Sequence, residues 1–374
     1  MKRAVLIVSL LGFIGLSTGQ CRYRLCTFYV SRITQTNFRP DDIDTNLCHI
    51  LIVGYATYVN EQIRPHEKFN QFLQTLRSLK QSNPQFKVIL QLINWISSYD
   101  SAFDQMVNNH NSRYKFYDNV VNFLRANSFD GIEIRQRFEK QSRPLENKDW
   151  FIVVLQALAN KFVDEGRSTK REKLLLLVPL TLVSDLATLE ARESILGISR
   201  AADLVIMDSM YFVRKSVVEP PRHHTALYGI RSSDERTINY VANFLTARGC
   251  PKEKLIISVS ATVFAYTAID DSYINIWTTT YDKICSMISR GYRVYRNKDN
   301  NPEIDGPDIF NVREAKEEFR YFYEDPSSLG TKIRYIKEKG FAGISVWGIT
   351  DDDFKNICRQ GRYPLLNAVK AECR

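Results

Sequence analysis

Short apolar segments recur along the chain, and longer segments with helical periodicity separate them. The apolar segments are rich in Val, Ile or Leu and are bounded by polar or turn-forming residues; they are Arg24–Tyr29, His49–Ala56, Phe86–Ile93, Asp130–Ile134, Lys173–Pro179, Asp203–Met207, Leu255–Ala261 and Phe341–Trp347. Continuous apolar runs of this length are typical of strands buried on both faces of a parallel sheet. The segments with helical periodicity include Phe69–Leu79, Tyr117–Leu124, Trp150–Val163 and Arg236–Ala247.

Eight predicted strands with helices between them indicate an α/β fold, a (β/α)8 TIM barrel. Periodicity alone also permits a doubly wound open sheet. The segment between the last two predicted strands is long, Tyr-rich and polar, with turn signals at Asn301-Pro302 and Gly306-Pro307. We therefore expect a barrel over residues 21–265 and 331–374, interrupted by a small α+β insertion over residues 266–330.

The first residues have the pattern of a secretory signal peptide. Met1-Lys2-Arg3 is basic, an apolar run extends from Ala4 to Leu16, and the small residues Ser17-Thr18-Gly19 follow. The run is shorter than the roughly 20 apolar residues that cross a bilayer. We expect residues 1–20 to be removed, with cleavage after Gly19 or Gln20, and the product to be secreted and extracellular. No later segment has the length and apolarity of a membrane span.

The cysteines and the net charge narrow down the compartment of the protein and the ligands it can bind. Seven cysteines suit an oxidising compartment, and because the number is odd at least one is unpaired or pairs between chains. No C-x-x-C spacing of a zinc or redox site occurs, and we expect no metal and no cofactor. The net charge of +9 is scattered along the chain. A mildly basic surface favours acidic glycans or cell surfaces, whereas nothing resembles a nucleic-acid-binding motif.

Three ordered stretches carry a family resemblance. Residues 129–138 read FDGIEIRQRF and resemble the strand signature D-G-[IL]-D-[IL]-D-W-E-[YF] of glycoside hydrolase family 18, the chitinase family. Residues 249–255, GCPKEKL, are similar to the family's G-x-P-x-x-K-L, and residues 323–347 with 351–354 resemble its approach to the eighth strand. The resemblance covers essentially the whole mature chain and implies a (β/α)8 barrel that handles chitin-type glycans.

The signature departs from the family at the positions that carry the chemistry. Alternate strand residues share one face, so positions 133, 135 and 137 point toward the barrel mouth. The family has Asp, Asp and the catalytic acid Glu there, whereas this chain has Glu133, Arg135 and Arg137. Arginine is no general acid near neutral pH, because its pKa lies above about 12. Glu139 lies roughly 6–7 Å further along an extended chain, beyond hydrogen-bond reach.

Other positions of the family's sugar-binding floor have changed as well. The sixth-strand M-[TS]-Y-D pattern ends in Ser209 and Met210 instead of Tyr and Asp. The remaining departures are Thr262 and Phe264 on the seventh strand, Gln91–Asn94 on the third, and Thr27 on the first. The resemblance therefore implies a chitinase-like protein that is catalytically inactive.

Several residues are nevertheless placed to bind a ligand. In the family Trp347 lies under the central sugar and Trp95 lines the cleft, while Tyr55 stands where Phe is usual; Asp208 completes the candidate set. An aromatic face stacks on a sugar ring or packs equally well in a core, so both interpretations stay open for the two tryptophans.

The two arginines also have two interpretations. Glu133, Asp208 or Glu139 neutralises them internally, or they form an anion pocket for a sulfated or carboxylated ligand. For the run Asp351–Asp353 a structural role is favoured over a metal site, since no His or Cys cluster is nearby.

The resemblance implies the disulfides Cys26–Cys48 and Cys285–Cys358. Cys21–Cys373 is a reasonable third bridge and would leave Cys250 free. The expected function is secreted, non-hydrolytic binding of a glycan or a protein. Two versions stay open: a chitin-oligosaccharide lectin that uses the cleft aromatics, and a protein-interaction or immune-modulating factor without sugar affinity. A residual enzyme ranks third.

Overall fold

The computed structural model describes residues 21–94, 109–136, 149–181, 186, 189, 194–209, 223–229, 233–269, 272–291, 293–295, 308–314 and 317–373. The strands are β1 (Tyr23–Tyr29), β2 (Ile50–Val59), β3 (Gln62–Pro65), β4 (Lys87–Asn94), β5 (Gly131–Gln136), β6 (Leu175–Thr181), β7 (Leu204–Asp208), β8 (Leu255–Ser260), β9 (Val263–Ile269), β10 (Ser272–Thr279), β11 (Arg293–Tyr295), β12 (Asp308–Glu314), β13 (Glu317–Phe322) and β14 (Gly343–Trp347). The helices are α1 (Ile33–Thr36), α2 (Phe69–Ser82), α3 (His110–Ala126), α4 (Asp149–Thr169), α5 (Ile195–Ala201), α6 (Ile238–Ala247), α7 (Tyr281–Ser289), α8 (Pro326–Lys339) and α9 (Pro364–Glu372).

Eight parallel strands close into a ring in the order β1-β14-β8-β7-β6-β5-β4-β2. The first strand closes it, because Leu25 of β1 lies opposite Ile50 of β2 while Tyr23 lies opposite Gly343 of β14. The short β3 pairs with β2 in antiparallel fashion at the edge of the ring. The (β/α)8 barrel is thereby confirmed, and the open doubly wound sheet is wrong.

Alternation along each strand divides the apolar residues between two layers. In β8, Ile256 belongs to the cluster inside the barrel, whereas Leu255 and Ile257 pack in the larger layer between strands and helices. Both faces of each strand are therefore buried, which explains the continuous apolar runs in the sequence. The same alternation brings the odd-numbered residues of β5 to the inside of the barrel.

The last helix–strand unit has clear boundary signals. Asp325 accepts a hydrogen bond from Ser328 N at 2.8 Å, and Pro326 occupies the first helical turn of α8. The helix ends at Gly340, whose φ of 74° favours glycine. These signals set the entry of β14 into the ring and thus the position of Trp347 at its end.

A second, antiparallel sheet interrupts the barrel between β8 and α8. Its strand order is β10-β9-β13-β12-β11, and β9 and β13 run side by side, with Ala265 opposite Tyr321. The helix α7 lies between β10 and β11 in the chain. The sheet therefore extends the wall of the barrel at the carboxyl end of β8, beside the mouth.

Three disulfide bonds cross-link the described chain: Cys21–Cys373, Cys26–Cys48 and Cys285–Cys358. The first joins the start of the barrel to its end, and the third ties α7 to the segment after β14. Cys250 is buried and free. Among the described helices, none has the length and apolarity needed to cross a membrane.

A buried ion pair links α8 to Glu324, just before the helix, and hydrogen bonds with Thr225 tie this pair to the segment that precedes α6. Lys332 Nζ contacts Glu324 Oε1, with side-chain exposures of 1% and 0%. Thr225 and Ser328 donate hydroxyl hydrogen bonds to the two oxygens of Glu324, and Lys332 also donates to Thr225 at 3.1 Å. Glu324 and Lys332, together with these two hydroxyls, form what we call the junction network.

Candidate functional site

The centre of the candidate site lies on β5, where the strand faces the interior of the barrel. Glu133 lies opposite Gln91 of β4, and Arg135 lies opposite Ile93. Glu133 and Arg135 are both buried, with 1% and 7% of their surfaces exposed. Gln91 Nε2 donates a hydrogen bond to Glu133 Oε1 at 2.8 Å. The register of β4 against β5 thus places Gln91 where it holds the carboxylate of Glu133.

Arg135 connects two carboxylates across the barrel. Its Nε donates to Glu133 Oε1 at 3.1 Å, and its Nη1 forms an ion pair with Asp208 Oδ2. Asp208 ends β7 opposite Thr181 of β6, whose Oγ1 lies 3.4 Å from Asp208 Oδ2. Glu133, Arg135 and Asp208, with Gln91 and Thr181, are the mouth network. Carboxylates of the protein itself therefore neutralise Arg135, as the first of the two interpretations expects.

The mouth network holds two carboxyl groups for one guanidinium. Burial raises the pKa of Glu133, an effect that Arg135 and the hydrogen bond from Gln91 counteract and the charge of Asp208 reinforces. Burial alone would lower the pKa of Arg135, but Glu133 and Asp208 outweigh it and raise that pKa. Arg135 therefore stays charged, and burial favours the protonated form of Glu133.

Two acceptor atoms of the mouth network have no hydrogen-bond donor among the described residues. They are Asp208 Oδ1 and Gln91 Oε1, both of which are buried. Buried oxygens normally have a partner, so these two can accept from a group that enters the mouth. The chemistry available here is recognition of hydrogen-bond donors.

Trp347 covers Arg135 at the carboxyl end of β14. The guanidinium carbon of Arg135 lies 5.1 Å from the centroid of the Trp347 ring, within the range of a cation–π contact. Tyr29, at the end of β1, packs against the same indole with ring centroids 4.8 Å apart. Trp347 is partly exposed, which leaves part of its surface for a ligand.

Residues that differ from the family pattern make internal contacts. Ser209 donates to the carbonyl of Ser258, and Thr262 donates to Asp351 Oδ2. Phe264 packs against His224 with ring centroids 4.4 Å apart. Burial, then His223 and Lys332, lower the pKa of His224 well below its usual value, so this imidazole is neutral. These side chains support the wall of the mouth.

The three aspartates after β14 act as structural acceptors. Arg32 pairs with Asp351 at 3.0 Å, and Asp352 accepts from the backbone N–H groups of Leu365 and Leu366 at the start of α9. Asp353 accepts from the N–H groups of residues 357 and 358. No group of metal-ligating side chains occurs within the described part of the chain.

The remaining candidates divide into two groups. Tyr55, on β2, packs against His66 with ring centroids 5.7 Å apart, and within the described structure it makes no hydrogen bond or ring contact with the mouth network. Arg137, Trp95, Met210 and Glu139 lie outside the described residues. The structure thus brings together Glu133, Arg135, Asp208 and Trp347.

Sequence reasoning missed three participants: Tyr29, Thr181 and the contact of Gln91 with Glu133. A signal existed for Tyr29, because it lies two residues after Thr27 and therefore on the same face of β1. Thr181 and Gln91 are recognisable only from the register of β6 and β4, which their own sequence does not encode.

Comparison with known proteins places these features in a family. The pattern of Glycosyl hydrolases family 18 matches residues 25–352. Chitotriosidase-1 of Mus musculus is 27% identical over 91% of this chain and 75% of its own length. Chitinase-3-like protein 2 of Homo sapiens is 25% identical over 94% of this chain and 93% of its own.

Solved structures agree on the fold. Human YKL-39, a pseudo-chitinase with retained chitooligosaccharide binding properties, superimposes with a TM-score of 0.80 at 22% identity and covers 94% of this chain and 99% of its own. TsES1, an immunomodulatory active chitinase of Trichuris suis, reaches 0.80 at 19% identity, with 94% and 100% covered. A barrel of this topology with this sequence pattern over residues 25–352 means that the chain belongs to glycosyl hydrolase family 18.

Proposed function

We propose that this protein is a secreted, non-hydrolytic member of the chitinase family that acts by binding. The observation that carries the proposal is the buried Arg135, held between Glu133 and Asp208 where the family has a carboxylate. Arg137 in the sequence position of the catalytic acid supports the same conclusion. No cofactor takes part in this proposal.

Hydrolysis requires a proton donor at the glycosidic oxygen and stabilisation of positive charge at the sugar. Arg137 supplies no proton near neutral pH, and the fixed charge of Arg135 opposes a developing cation. Glu133 holds protons readily, but it is buried beneath Arg135 and bonded to it and to Gln91. Among the described residues of the mouth network, the carboxyl groups are Glu133 and Asp208, and Arg135 pairs with both of them.

A chitin-type oligosaccharide is the ligand that we favour. Trp347 is partly exposed at the mouth, and its indole offers a stacking surface for a sugar ring. The oxygens Asp208 Oδ1 and Gln91 Oε1 are ready to accept from the N–H or O–H groups of a sugar. The likeness to YKL-39, a pseudo-chitinase that retains chitooligosaccharide binding, is in line with this ligand. We include Trp95 in the same binding surface.

A protein ligand is the second candidate. Ser209 lies where the family contacts the acetamido group, and Thr262 and Phe264 lie at the family's seventh-strand Tyr and Arg positions. All three are engaged in internal contacts. This remodelling favours a scaffold that has given up sugar recognition. On that alternative the protein acts on a partner, without sugar affinity.

We infer a signal peptide at residues 1–20 of the precursor, and in the mature protein a barrel over 21–265 and 331–374 with an insertion over 266–330. Three disulfides support passage through an oxidising compartment. The antiparallel sheet between Val263 and Phe322 supports an inserted unit.

Calorimetric titration with N-acetylglucosamine oligomers tests the proposal, with mass spectrometry of the sugar afterwards. We expect binding, an intact oligomer, and loss of affinity in Trp347→Ala. Tyr114→Ala is the matched control, because Tyr114 is 58% exposed on α3, a helix of the barrel's outer layer. Absence of binding in the wild type would favour the protein ligand, and cleaved oligomers would refute both versions.

A further inference from the structure

The end of the barrel opposite the mouth carries a group of cations where strands begin. Arg22 precedes β1, Lys252 and Lys254 precede β8, Lys337 and Lys339 end α8 before β14, and Arg200 lies in the last turn of α5 before β7. We call these six residues, Arg22, Arg200, Lys252, Lys254, Lys337 and Lys339, the basic rim.

Backbone contacts make the basic rim continuous. Arg22 N donates to Ala342 O at 2.9 Å, and Ala342 N donates to Lys252 O at 3.0 Å. Lys254 Nζ then donates to the carbonyls of Ser199 and Ala202 at 2.8 Å, directly beside Arg200. The basic rim therefore follows β1, β14, β8 and β7, which are neighbours in the ring, over about 15 Å at the usual strand spacing.

The six cations of the basic rim form no ion pair within the described structure, whereas some cations at the same end of the barrel do. Elsewhere at this end Lys80 pairs with Asp130, and Lys173 pairs with Asp203. Within the described structure, by contrast, the exposed Arg22, Arg200 and Lys252 form no ion pair with a carboxylate. Lys337 and Lys339 form none either.

Few acidic side chains belong to these segments. Glu253 and Glu338 lie among the six cations and are exposed, and Asp203 is already matched by Lys173. Attraction to helix carboxyl ends accounts for Arg200, Lys337 and Lys339, which lie in last turns. It does not account for Arg22, which stands directly before β1 and outside any helix, so the concentration of charge needs a further explanation.

We propose that the basic rim binds a sulfated polysaccharide. A linear polyanion meets successive cations along such an arc, Arg22 and Arg200 offer planar forks that match sulfate, and the lysines add point charges. This site is separate from the mouth network and does not depend on whether the mouth binds or cleaves chitin.

The first test measures binding of a size-defined heparin oligosaccharide by calorimetry at about 0.15 M salt, where surface charges beyond roughly 8 Å are screened. The triple variant Arg200→Ala, Lys252→Ala, Lys339→Ala should raise Kd about tenfold, if each contact is worth a few tenths of a kcal/mol or more. The control triple Arg77→Ala, Arg167→Ala, Lys283→Ala removes the same charge from exposed cations outside the basic rim and should change Kd less than about twofold.

A gain-of-affinity variant excludes misfolding as the cause. Glu253→Gln with Glu338→Gln removes the two carboxylates among the cations and should lower Kd about threefold. If the rim triple variant and the control triple variant lost heparin affinity equally, the effect would come from net charge alone and the proposal would be overturned. Absence of heparin binding would also overturn it, and so would binding to phosphatidylserine vesicles without binding to heparin. Chito-oligomer binding and hydrolysis should be the same in all these variants.

Discussion

Two buried ion networks of this barrel differ in how well their charges are matched. The junction network sets one carboxylate, Glu324, against one ammonium, Lys332, and two hydroxyls complete its hydrogen bonds. The mouth network sets Glu133 and Asp208 against the single guanidinium of Arg135.

The difference indicates different roles. Every oxygen of Glu324 has a donor, as expected of a network that only holds elements together. At the mouth, Asp208 Oδ1 and Gln91 Oε1 have no donor within the described structure. These unused acceptors beside a partly exposed Trp347 support the binding role that we propose for the mouth.

The largest effect is expected when the junction network is broken. Lys332→Met leaves Glu324 buried and unpaired, which should cost about 3–5 kcal/mol of the free energy of unfolding. Chemical denaturation measures it. Lys161→Met, on an exposed pair with Asp118, is the control and should cost much less.

A second substitution tests whether charge is the cause. Adding Glu324→Gln to Lys332→Met should restore most of the lost stability, because no buried charge then lacks a partner. A double variant as unstable as Lys332→Met alone would show that lost packing, and not charge, dominates at the junction.

A smaller loss is expected at the mouth. Arg135→Met removes the cation, but burial favours the protonated form of Glu133, which lets this carboxyl group become neutral, so the cost should be about 2–3 kcal/mol. Chemical denaturation of Arg135→Met and of Lys332→Met in the same buffer compares the free energies of unfolding that the two networks contribute. A loss as large as that of Lys332→Met would mean that the mouth network is as closely matched as the junction network.

The smallest effect concerns the pH dependence of Glu133. Because its pKa is raised in the folded protein, chiefly by burial, the folded state binds the proton more tightly than the unfolded state. The carboxyl group of Glu133 thus favours folding below its ordinary pKa, and this contribution is lost as pH rises through the folded pKa. Relative to Glu133→Gln, the wild type should lose thermal stability as the pH rises above the ordinary glutamate pKa of about 4. A wild type that gains stability relative to the variant would contradict this sign.

The fold was accessible from the sequence because both faces of each barrel strand are buried. Predicted and observed strands differ by a few residues at most; the seventh apolar run, Leu255–Ala261, became β8 at Leu255–Ser260. Closure of the ring was not accessible from periodicity, because it depends on the pairing of β1 with both β2 and β14.

The site was accessible only in part. Strand alternation placed Glu133 and Arg135 together, and the need to neutralise buried charge pointed to Glu133 and Asp208 as partners. The choice of Asp208, the support from Gln91 and Thr181, and the contact of Tyr29 with Trp347 depend on how eight strands are staggered. A single strand's sequence does not contain that stagger.

The most direct test of the central claim is prolonged incubation of the purified protein, at high concentration, with fluorescently labelled N-acetylglucosamine oligomers. An active family 18 chitinase serves as the positive control. With Arg135 and Arg137 in the signature, we predict no cleavage above buffer while the oligomers remain bound. Cleavage that scales with protein concentration and is lost in Glu133→Gln would contradict the account and make the protein an enzyme.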